Sequence, residues 1–599
     1  MNQPAPLNPA KAEAEKAMAQ LFECIRTGQS FVFEAGAGAG KTYSLIEALE
    51  RLLAERGRSL VRQHQQIACI TFTNVAKNEI DTRTDRHPAV YSDTIHGFCW
   101  SLLKDQQGEL RRLIPELKKW PERLAEAGEI GTRQINYELG FPRVEDDVLS
   151  LSHDDVLDLM TACLSKPKFR RMMTARYPIL FIDEYQDTDA DFVNALMTHF
   201  LGQPGAPLIG LFGDGWQKIY GDGCGTVSYE GLASIGKGAN FRSVPAVVSV
   251  LNKMRPELPQ AVEDEDAPGS AVVYHTNGWT GARRTEAHWK GDVSPDAAKA
   301  YMDRVKALLT EDGWRFESGE TKVLMLTHNL LAQEQGYAGI AAVFAGRTDA
   351  FVKKEDAHIA FLVDVVEPAC AAFAAKRYGE MVAILGGAMP RITSPQRKAA
   401  IRASMERLVA LRTAGTIGEV IDYLRAEDGF HLPEKVEGKE TGLLLDAAKN
   451  ADGTALPETG TAEENEGGEQ QAAAWMERLR QLRQVPYAEV VVLERFINGM
   501  TPFATKHGVK GAQFNNVLVV VGRGWNQYNF DQMLAWVSKG VPKGKAETFE
   551  RSRNLFYVAC SRPRKRLAVL FTQEVSPPAM ETLKSWFGAG SVHEMTDVG

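Results

Sequence analysis

The sequence predicts an α/β fold built around a bound nucleoside triphosphate, because two widely separated stretches have the form that such a fold requires. The first, FVFEAGAGAGKTYSLIEALE from Phe31, places an apolar strand, a glycine-rich loop and an amphipathic helix in that order. The second, PILFIDEYQDTDADF from Pro178, is an apolar strand that ends in Asp183 and Glu184. Parallel α/β sheets bind ligands at the carboxyl ends of their strands, where both stretches are expected to contribute.

The length and composition fit a soluble protein of several domains. A chain of 599 residues is too long for one core, so two to four domains are expected. No run of about 18 apolar residues is evident, which argues against a membrane span. The start MNQPAPLNPAKAEAEKAM lacks the basic and apolar regions of a secretion signal. We therefore expect a cytoplasmic protein without a membrane partner.

The cysteine pattern and the net charge restrict the kinds of site that the chain can contain. The seven cysteines are scattered without a CxxC pair, which indicates reduced thiols instead of a disulfide framework or a zinc site. The net charge of −8 offers no overall attraction to nucleic acid, so any DNA contact must come from a local groove.

The glycine-rich loop has the residue types of a phosphate cradle. Against the pattern GxxxxGK[ST] only the opening glycine differs, being alanine here. Glycines let backbone amides converge on phosphate oxygens, and the helix N-terminus adds partial positive charge. Lys41 is expected to reach the β- and γ-phosphates, and Thr42 to ligate Mg²⁺. The alternative is a plain glycine-rich turn that opens a helix. The predicted nucleotide-binding residues are Ala35, Gly36, Ala37, Gly38, Ala39, Gly40, Lys41 and Thr42.

The carboxylates after the second strand complete the predicted hydrolytic site. Asp183 is suited to hold Mg²⁺ through water, and Glu184 to orient or deprotonate the attacking water. Two adjacent carboxylates alone are usually a solvated turn. Following an apolar strand in a chain that has a phosphate loop, they indicate a nucleoside triphosphatase.

The motif DEYQDT resembles the acidic motif of superfamily 1 helicases of the UvrD/Rep/PcrA type, and AGAGAGKT resembles their phosphate loop. Further stretches are similar to other motifs of these helicases in the same order. They are ITFTNVAKNEI from Ile70, TIHGFCWSLL from Thr94, LFGDGWQKIY from Leu211, NFRS from Asn240, TKHGVKGAQFNNVLVV from Thr505 and RNLFYVACSRPRKRL from Arg553.

This resemblance implies two RecA-like domains, with ATP bound in the cleft between them, and a helical insertion in each. It implies the following division: 1–99 and 172–239 for the first RecA-like domain, 100–171 for its helical insertion, 240–349 and 487–599 for the second RecA-like domain, and 350–486 for a helical accessory domain. The second sheet is expected to resume at YAEVVVLERF from Tyr487. Residues 449–470 are acidic and glycine-rich, which predicts a flexible loop.

The resemblance also assigns roles across the cleft. Arg242 and Arg562 match arginines that reach the γ-phosphate, where positive charge stabilises the transition state. Alone, each would be read as an ordinary surface ion pair. Gln217 matches a γ-phosphate sensor. Gln513 stands where the family usually has a ribose-contacting glutamate; the glutamine keeps the hydrogen-bonding capacity but removes the charge, so nucleotide preference stays open.

Six residues match positions that line the single-strand groove of the family. Aromatic rings stack on bases without reading sequence, and polar or basic groups hold phosphates, so sequence-independent binding is expected. Phe72 has an equal alternative role in the core, because it follows the strand IACI. The residues are Phe72, Thr73, Asn74, His96, His507 and Lys510.

Two departures from the family pattern bear on function. Lys11 replaces the glutamine that reads adenine, and an ammonium cannot both donate and accept as an amide does. After Tyr220 the chain reads GDGC, where the family has a base-stacking ring and a phosphate-linked arginine. Their loss weakens the inferred coupling of hydrolysis to stepping. Trp216 is a candidate replacement for the ring, with packing as the alternative.

The stretch TKHGVKGAQFNNVLVVVGRGWNQYNF also resembles the helicase-like subunits of Gabija-type anti-phage systems, which partner an OLD-type nuclease. Three functions therefore stay open. The first is a Mg²⁺- and ATP-dependent translocase or helicase that moves 3′ to 5′ on single-stranded or tailed DNA and is able to separate duplexes. The second is a DNA-stimulated nucleotidase or sensor that signals to a nuclease with little unwinding. The third, a DNA-binding scaffold with a dead ATPase, is disfavoured because the catalytic residue types are all present.

Overall fold

The computed structural model describes residues 8–595 except 119, 138–142, 145–146, 220, 222, 287–288, 317–318, 327–335, 345–349, 353, 386–393, 427–431, 453–465, 499–502, 505–511 and 524–527. The chain divides into two compact units. Unit 1 comprises residues 1–278, 510–519 and 525–597, and unit 2 comprises residues 279–509, 520–524 and 598–599.

The strands and helices follow the chain in a mainly alternating order. The strands are β1 Phe31–Ala35, β2 Ile67–Thr71, β3 Val90–Thr94, β4 Gln134–Tyr137, β5 Arg143–Val144, β6 Val148–Leu151, β7 Ile179–Asp183, β8 Leu208–Gly213, β9 Ala233–Lys237, β10 Ala239–Asn240, β11 Ala261–Val262, β12 Ser270–His275, β13 Thr321–Met325, β14 Phe503–Ala504, β15 Phe514–Val521, β16 Pro563–Phe571 and β17 Val592–Glu594. The helices are α1 Pro9–Thr27, α2 Lys41–Arg62, α3 Asn74–Arg83, α4 Ile95–Leu103, α5 Gln107–Leu113, α6 Trp120–Ala127, α7 His153–Leu164, α8 Pro167–Arg176, α9 Ala190–Phe200, α10 Pro245–Met254, α11 Pro295–Glu311, α12 Ala338–Val343, α13 Ala357–Phe361, α14 Glu367–Ala374, α15 Tyr378–Leu385, α16 Pro395–Ala414, α17 Ile417–Ala426, α18 Glu434–Asp452, α19 Glu466–Gln484, α20 Ala488–Ile497, α21 Phe530–Lys539, α22 Ala546–Cys560 and α23 Pro577–Phe587.

A six-stranded parallel sheet forms the centre of unit 1, in the order β3-β2-β7-β8-β1-β9. Its central strands are continuous apolar runs because helices cover both faces, and β7 is buried along its whole length. One core packs against α1 and α2, and the other against α4, α7 and α9. Because all six strands are parallel, the loops after β1, β2, β7 and β8 leave the sheet at one edge. The predicted α/β fold with parallel sheets and flanking helices is confirmed.

A second group of strands in unit 1 has the order β15-β16-β12-β17. β12 pairs in parallel with both β16 and β17. The short strands β10 and β11 also pair in parallel, which places Asn240 beside Val262. Helices α10 and α22 lead into Arg255 and Arg562, both of which are buried.

The predicted helical insertion at 100–171 also contains a small sheet. Strand β6 lies between β4 and β5 and pairs in parallel with β4 and antiparallel with β5. Inward-facing Ile135, Leu149 and Leu151 join the core that contains α7. These strands are only two to four residues long, too short for a reliable alternation pattern in the sequence.

Unit 2 is mostly helical, with β13 and β14 paired in parallel. Partly buried ion pairs join its helices: Arg412 Nε lies 2.7 Å from Glu367 Oε1, and Arg483 Nη1 lies 2.5 Å from Glu440 Oε2. The helical segment Ala357–Ala374 is long and apolar enough to cross a membrane, with a mean hydropathy of 1.6, although no such run was predicted. Glu367 lies within it and 56% of the segment is buried, as in the core helix of a soluble domain.

Two further predictions for unit 2 need revision. The apolar run after Tyr487 is helix α20 and not a returning strand; Val490, Leu493 and Phe496 are buried at a helical spacing. Short apolar runs fit either element, which explains the error. The predicted flexible loop 449–470 has helical ends, because α18 continues to Asp452 and α19 begins at Glu466. Its middle, 453–465, lies outside the described residues, and the predicted domain boundaries stay predictions.

Candidate nucleotide-binding and hydrolytic site

The phosphate loop runs from the end of β1 to the start of α2 and contains two left-handed glycines. Gly38 has φ +80° and Gly40 has φ +75°, a region that side chains disfavour. Helix α2 begins at Lys41 directly after Gly40, which has no side chain with which to cap the first amides. The amide of Ala39 donates to Gly36 O at 3.1 Å, and this closes the loop into a compact turn. The loop therefore presents a helix N-terminus and its amides to one side.

Two amide side chains that were not predicted as site residues donate hydrogen bonds to this loop. Asn240 Nδ2 and Gln260 Nε2 donate to Ala37 O at 3.0 and 3.1 Å. A Cβ atom on Gly36 would meet Gln260 Nε2 at 2.6 Å, and one on Gly38 would meet Asn240 Oδ1 at 2.7 Å. Gly38 is thus favoured both by its contacts and by its backbone conformation, whereas at Gly36 a Cβ atom would displace the Gln260 amide.

Lys41 and Glu184 form an ion pair at the carboxyl edge of the sheet, with Nζ 3.2 Å from Oε2. Glu184 has φ +50°, which is strained for a residue with a side chain and is often found at functional sites. Gln186 Nε2 donates to the same Glu184 oxygen at 2.5 Å. Asp183 is buried, and burial followed by the charge of Glu184 raises its pKa to about 7.

Gln217 lies on the loop after β8, where its amide is held at both ends. Its Nε2 donates to Asp214 Oδ2 at 2.7 Å, and its Oε1 accepts from Arg562 Nη2 at 3.1 Å. Asp214 Oδ1 also accepts from the amide of Trp216 at 3.1 Å. The structure therefore brings Gln217 and Arg562 together, 345 residues apart in the sequence.

In unit 1, Arg562 is buried and Arg242 is partly buried. Arg242 Nη1 donates to Ser561 O at 3.1 Å, and Arg562 Nε donates to Val558 O at 2.9 Å. Burial, and then the charge of Arg242, lower the pKa of Arg562 to about 9; burial likewise lowers the pKa of Arg242. In the part of the chain that the structure describes, no carboxylate forms an ion pair with either guanidinium. The site thus holds one buried and one partly buried positive charge, which attract Glu184 but lack a paired anion among the described residues.

A buried lysine that is not among the predicted site residues contacts the helix that begins at the phosphate loop. Lys237, the last residue of β9, donates from Nζ to Ser44 Oγ in the first turn of α2 at 2.8 Å. Burial lowers its pKa to about 8. The same Nζ lies 5.8 Å from the ring centroid of Phe241. Lys237 adds a further cation to this side of the site.

The ring of Trp216, the candidate for base stacking, packs against other side chains of the protein. Arg553 lies over its ring with a guanidinium-to-centroid distance of 3.8 Å, and Tyr557 contacts it edge-on at 5.5 Å. The GDGC segment packs on the turn after Glu184: Cys224 N donates to Thr188 O at 2.8 Å. Tyr220 and Asp222 lie outside the described residues.

The predicted DNA-contacting residues fall in different settings. Phe72, Thr73 and Asn74 are exposed at the carboxyl end of β2, and Thr73 Oγ1 caps α3 by accepting from Ala76 N at 3.2 Å. His96 lies 4.5 Å, ring to ring, from His153, and burial followed by the His153 charge lowers its pKa to about 4. It is therefore a neutral ring at pH 7.

The remaining residues with a predicted or compared role either lie outside the described residues or are exposed. His507 and Lys510 are among the residues that it does not cover. Gln513 is exposed, and the next residue, Phe514, donates its amide to Arg562 O at 3.2 Å. At the N-terminus, Asn8 caps α1 by accepting from Lys11 N at 2.8 Å, and Lys11 is exposed on that helix.

Comparison with known proteins gives matches along nearly the whole chain. A protein-family profile described as an AAA domain matches residues 20–222, which include the phosphate loop, Asp183, Glu184 and Gln217. Gabija protein GajB of Bacillus cereus (strain HuB5-5) is 24% identical over 96% of this chain and 98% of its own length. The ATP-dependent DNA helicase UvrD1 of Mycobacterium tuberculosis (strain ATCC 25618 / H37Rv) is 22% identical over 91% of this chain and 80% of its own length. GajB of Bacillus cereus (strain VD045) is 28% identical over 33% of this chain.

Proposed function

We propose that this chain, a homologue of UvrD-like helicases and of the Gabija protein GajB, is an ATPase that couples hydrolysis to 3′-to-5′ movement along single-stranded DNA. The observation that carries the proposal is the pair Arg242 and Arg562. Arg562 is buried and Arg242 is partly buried, neither has a carboxylate partner among the described residues, and both lie beside a site that contains Glu184 and Gln217. Buried cations are costly unless an anion compensates them, and a triphosphate supplies that anion.

The binding half of the site would be the loop of residues 35–42. Its amides and the N-terminus of α2 would hold the phosphates, and Lys41 would exchange Glu184 for a phosphate oxygen when nucleotide binds. That exchange would release the carboxylate of Glu184 for catalysis. Lys41 thus couples nucleotide binding in the loop to the release of Glu184, the proposed general base.

Mg²⁺ fits the donor set of this site. Asp183 and Thr42 offer a carboxylate and a hydroxyl oxygen, the hard ligands that this cation prefers. The pKa of Asp183 is raised because burial and Glu184 disfavour its charge, and Lys41 offsets this only in part. A bound cation would favour the ionised carboxylate and would neutralise phosphate charge.

The hydrolytic step would use Glu184, Gln217 and the two arginines. Glu184 Oε2 would accept a proton from the attacking water, and Arg242 and Arg562 would stabilise the charge that develops on the γ-phosphate. Gln217 bonds to Arg562, so it would report the state of the γ-phosphate to that arginine. Exposed Phe72 and Asn74 would contact single-stranded DNA, Phe72 by stacking on a base.

The test is a paired assay of ATP hydrolysis and strand displacement on duplexes with a 3′ tail, a 5′ tail or no tail. We expect single-stranded DNA to stimulate hydrolysis and displacement to require ATP and the 3′ tail. Glu184→Gln serves as the catalytic control. Hydrolysis that is unaffected by any DNA would contradict the proposal, and displacement from the 5′ tail alone would contradict the polarity.

A second function is favoured by two observations. The alignment with GajB covers 96% of this chain and 98% of that protein, and the ring and arginine expected after Tyr220 are absent from the sequence. The alternative is a DNA-stimulated nucleotidase or sensor that acts with a nuclease subunit, which the family resemblance suggests is of the OLD type. DNA-stimulated hydrolysis without strand displacement, together with co-purification of a nuclease, would support it over the translocase.

A further inference from the structure

Arg255 is a buried cation of unit 1 that none of the roles above uses. It follows the last turn of α10, and its side chain is only 7% exposed. Nη1 lies 2.5 Å from Asp214 Oδ1, and Nη2 lies 3.1 Å from Glu34 Oε2. One guanidinium therefore joins the strand that leads into the phosphate loop to the loop that carries Gln217.

The charges around Arg255 are not balanced. Burial raises the pKa of Glu34, and the charge of Asp214 raises it further, whereas Tyr185 and Arg255 lower it. Asp214 is fully buried and has no other cation within ion-pair distance in the described parts of the chain. Arg255 thus supplies the positive charge that both acidic side chains contact in the protein interior.

Asp214 in turn fixes which way the Gln217 amide faces. Asp214 Oδ2 accepts a hydrogen bond from Gln217 Nε2. A guanidinium only donates, so Arg562 must face Gln217 Oε1. If Asp214 were displaced, the Gln217 amide would lose the partner that holds its NH₂ end.

We propose that Arg255 is a positioning residue of the hydrolytic site, which holds Asp214 in place so that Gln217 keeps its oxygen towards Arg562. The inference rests on the proposed ATPase. Arg255 acts through another residue and not by touching substrate, so its loss should slow turnover and leave nucleotide binding almost unchanged.

The test is a double-mutant cycle with Arg255→Met and Gln217→Leu, measured as single-turnover ATP hydrolysis and as nucleotide affinity. We expect Arg255→Met to slow hydrolysis by about tenfold with affinity within about threefold, and to slow it by less than about twofold when Gln217 is already leucine. The matched control is Glu257→Gln. Glu257 is exposed and lies 3.5 Å from Arg255 Nε, so its loss should leave hydrolysis unchanged.

Arg255→Lys covers the case in which the methionine variant does not fold. A lysine keeps one charge but cannot bridge two carboxylates with a planar fork, so the same non-additive slowing is expected. Equal slowing in both Gln217 backgrounds, or a loss of affinity with unchanged turnover, would overturn the inference. A wild-type protein that does not hydrolyse ATP would instead overturn the proposed function, and the positioning role with it.

Discussion

Replacing Gly38 by alanine tests whether contacts with Asn240 and Arg242 give the phosphate loop the shape that binds phosphate. The added Cβ would lie 2.7 Å from Asn240 Oδ1 and 2.8 Å from Arg242 Cβ, while the backbone is at φ +80°. An alanine at positive φ costs about 1–2 kcal/mol. Crowding in a packed site adds about 1–3 kcal/mol, because the neighbours must move.

Gly28→Ala is the matched control for the backbone part of this cost. Gly28 ends α1 at φ +71°, and a Cβ atom added there would meet nothing within 4 Å. The control therefore carries the strain of the left-handed backbone alone. The difference in nucleotide affinity between the two variants therefore measures the effect of crowding against Asn240 and Arg242.

The assay is equilibrium binding of a fluorescent ATP analogue, together with thermal unfolding of each variant. We expect Gly38→Ala to weaken binding by roughly 5- to 150-fold, the equivalent of about 1–3 kcal/mol, and Gly28→Ala to change it by less than about twofold. Equal affinity for the two variants would refute the assigned loop geometry.

Three further predictions follow from the same site. Glu184→Gln should retain ATP binding and abolish turnover, because the amide cannot accept the proton of the attacking water; substantial hydrolysis in a single-turnover assay would contradict its role. Lys41→Ala should weaken nucleotide binding in an equilibrium titration, and unchanged affinity would count against the phosphate cradle. Lys237→Met should raise the thermal midpoint at pH 7 by about 2–4 °C and change it little at pH 10. The pKa of Lys237 is lowered to about 8, so its buried charge destabilises the fold most below pH 8, and that penalty fades as pH rises towards its unfolded value. Exposed Lys253→Met is the control, and an equal shift in both variants would oppose this account.

Local patterns were enough to predict the elements that carry the chemistry. The strand β1, the glycine loop and helix α2 follow from residue spacing over about thirty positions, as does the strand that ends at Asp183. The run VVVL after Tyr487 shows the limit of such patterns. An apolar run of this length fits a buried strand or one face of a helix, and packing decided for the helix.

Long-range partners were not predictable from single-sequence patterns. Arg255 contacts Asp214 and Glu34, which lie 41 and 221 positions away, and no local periodicity marks that pairing. Gln260 supports the phosphate loop from 223 positions away. A lysine at the end of an apolar strand was the one local signal for Lys237, since buried lysines are rare without a partner.

The most direct test of the central claim is the rate of ATP hydrolysis by Arg562→Ala in the presence of single-stranded DNA, with Arg551→Ala on α22 as the control. Arg551 forms a surface pair with Glu547 and should be dispensable. We expect the Arg562 variant to bind ATP and to hydrolyse it at least about 10³-fold more slowly than wild type. Turnover equal to that of the Arg551 variant would contradict the account of a single site that combines the phosphate loop with Arg242 and Arg562.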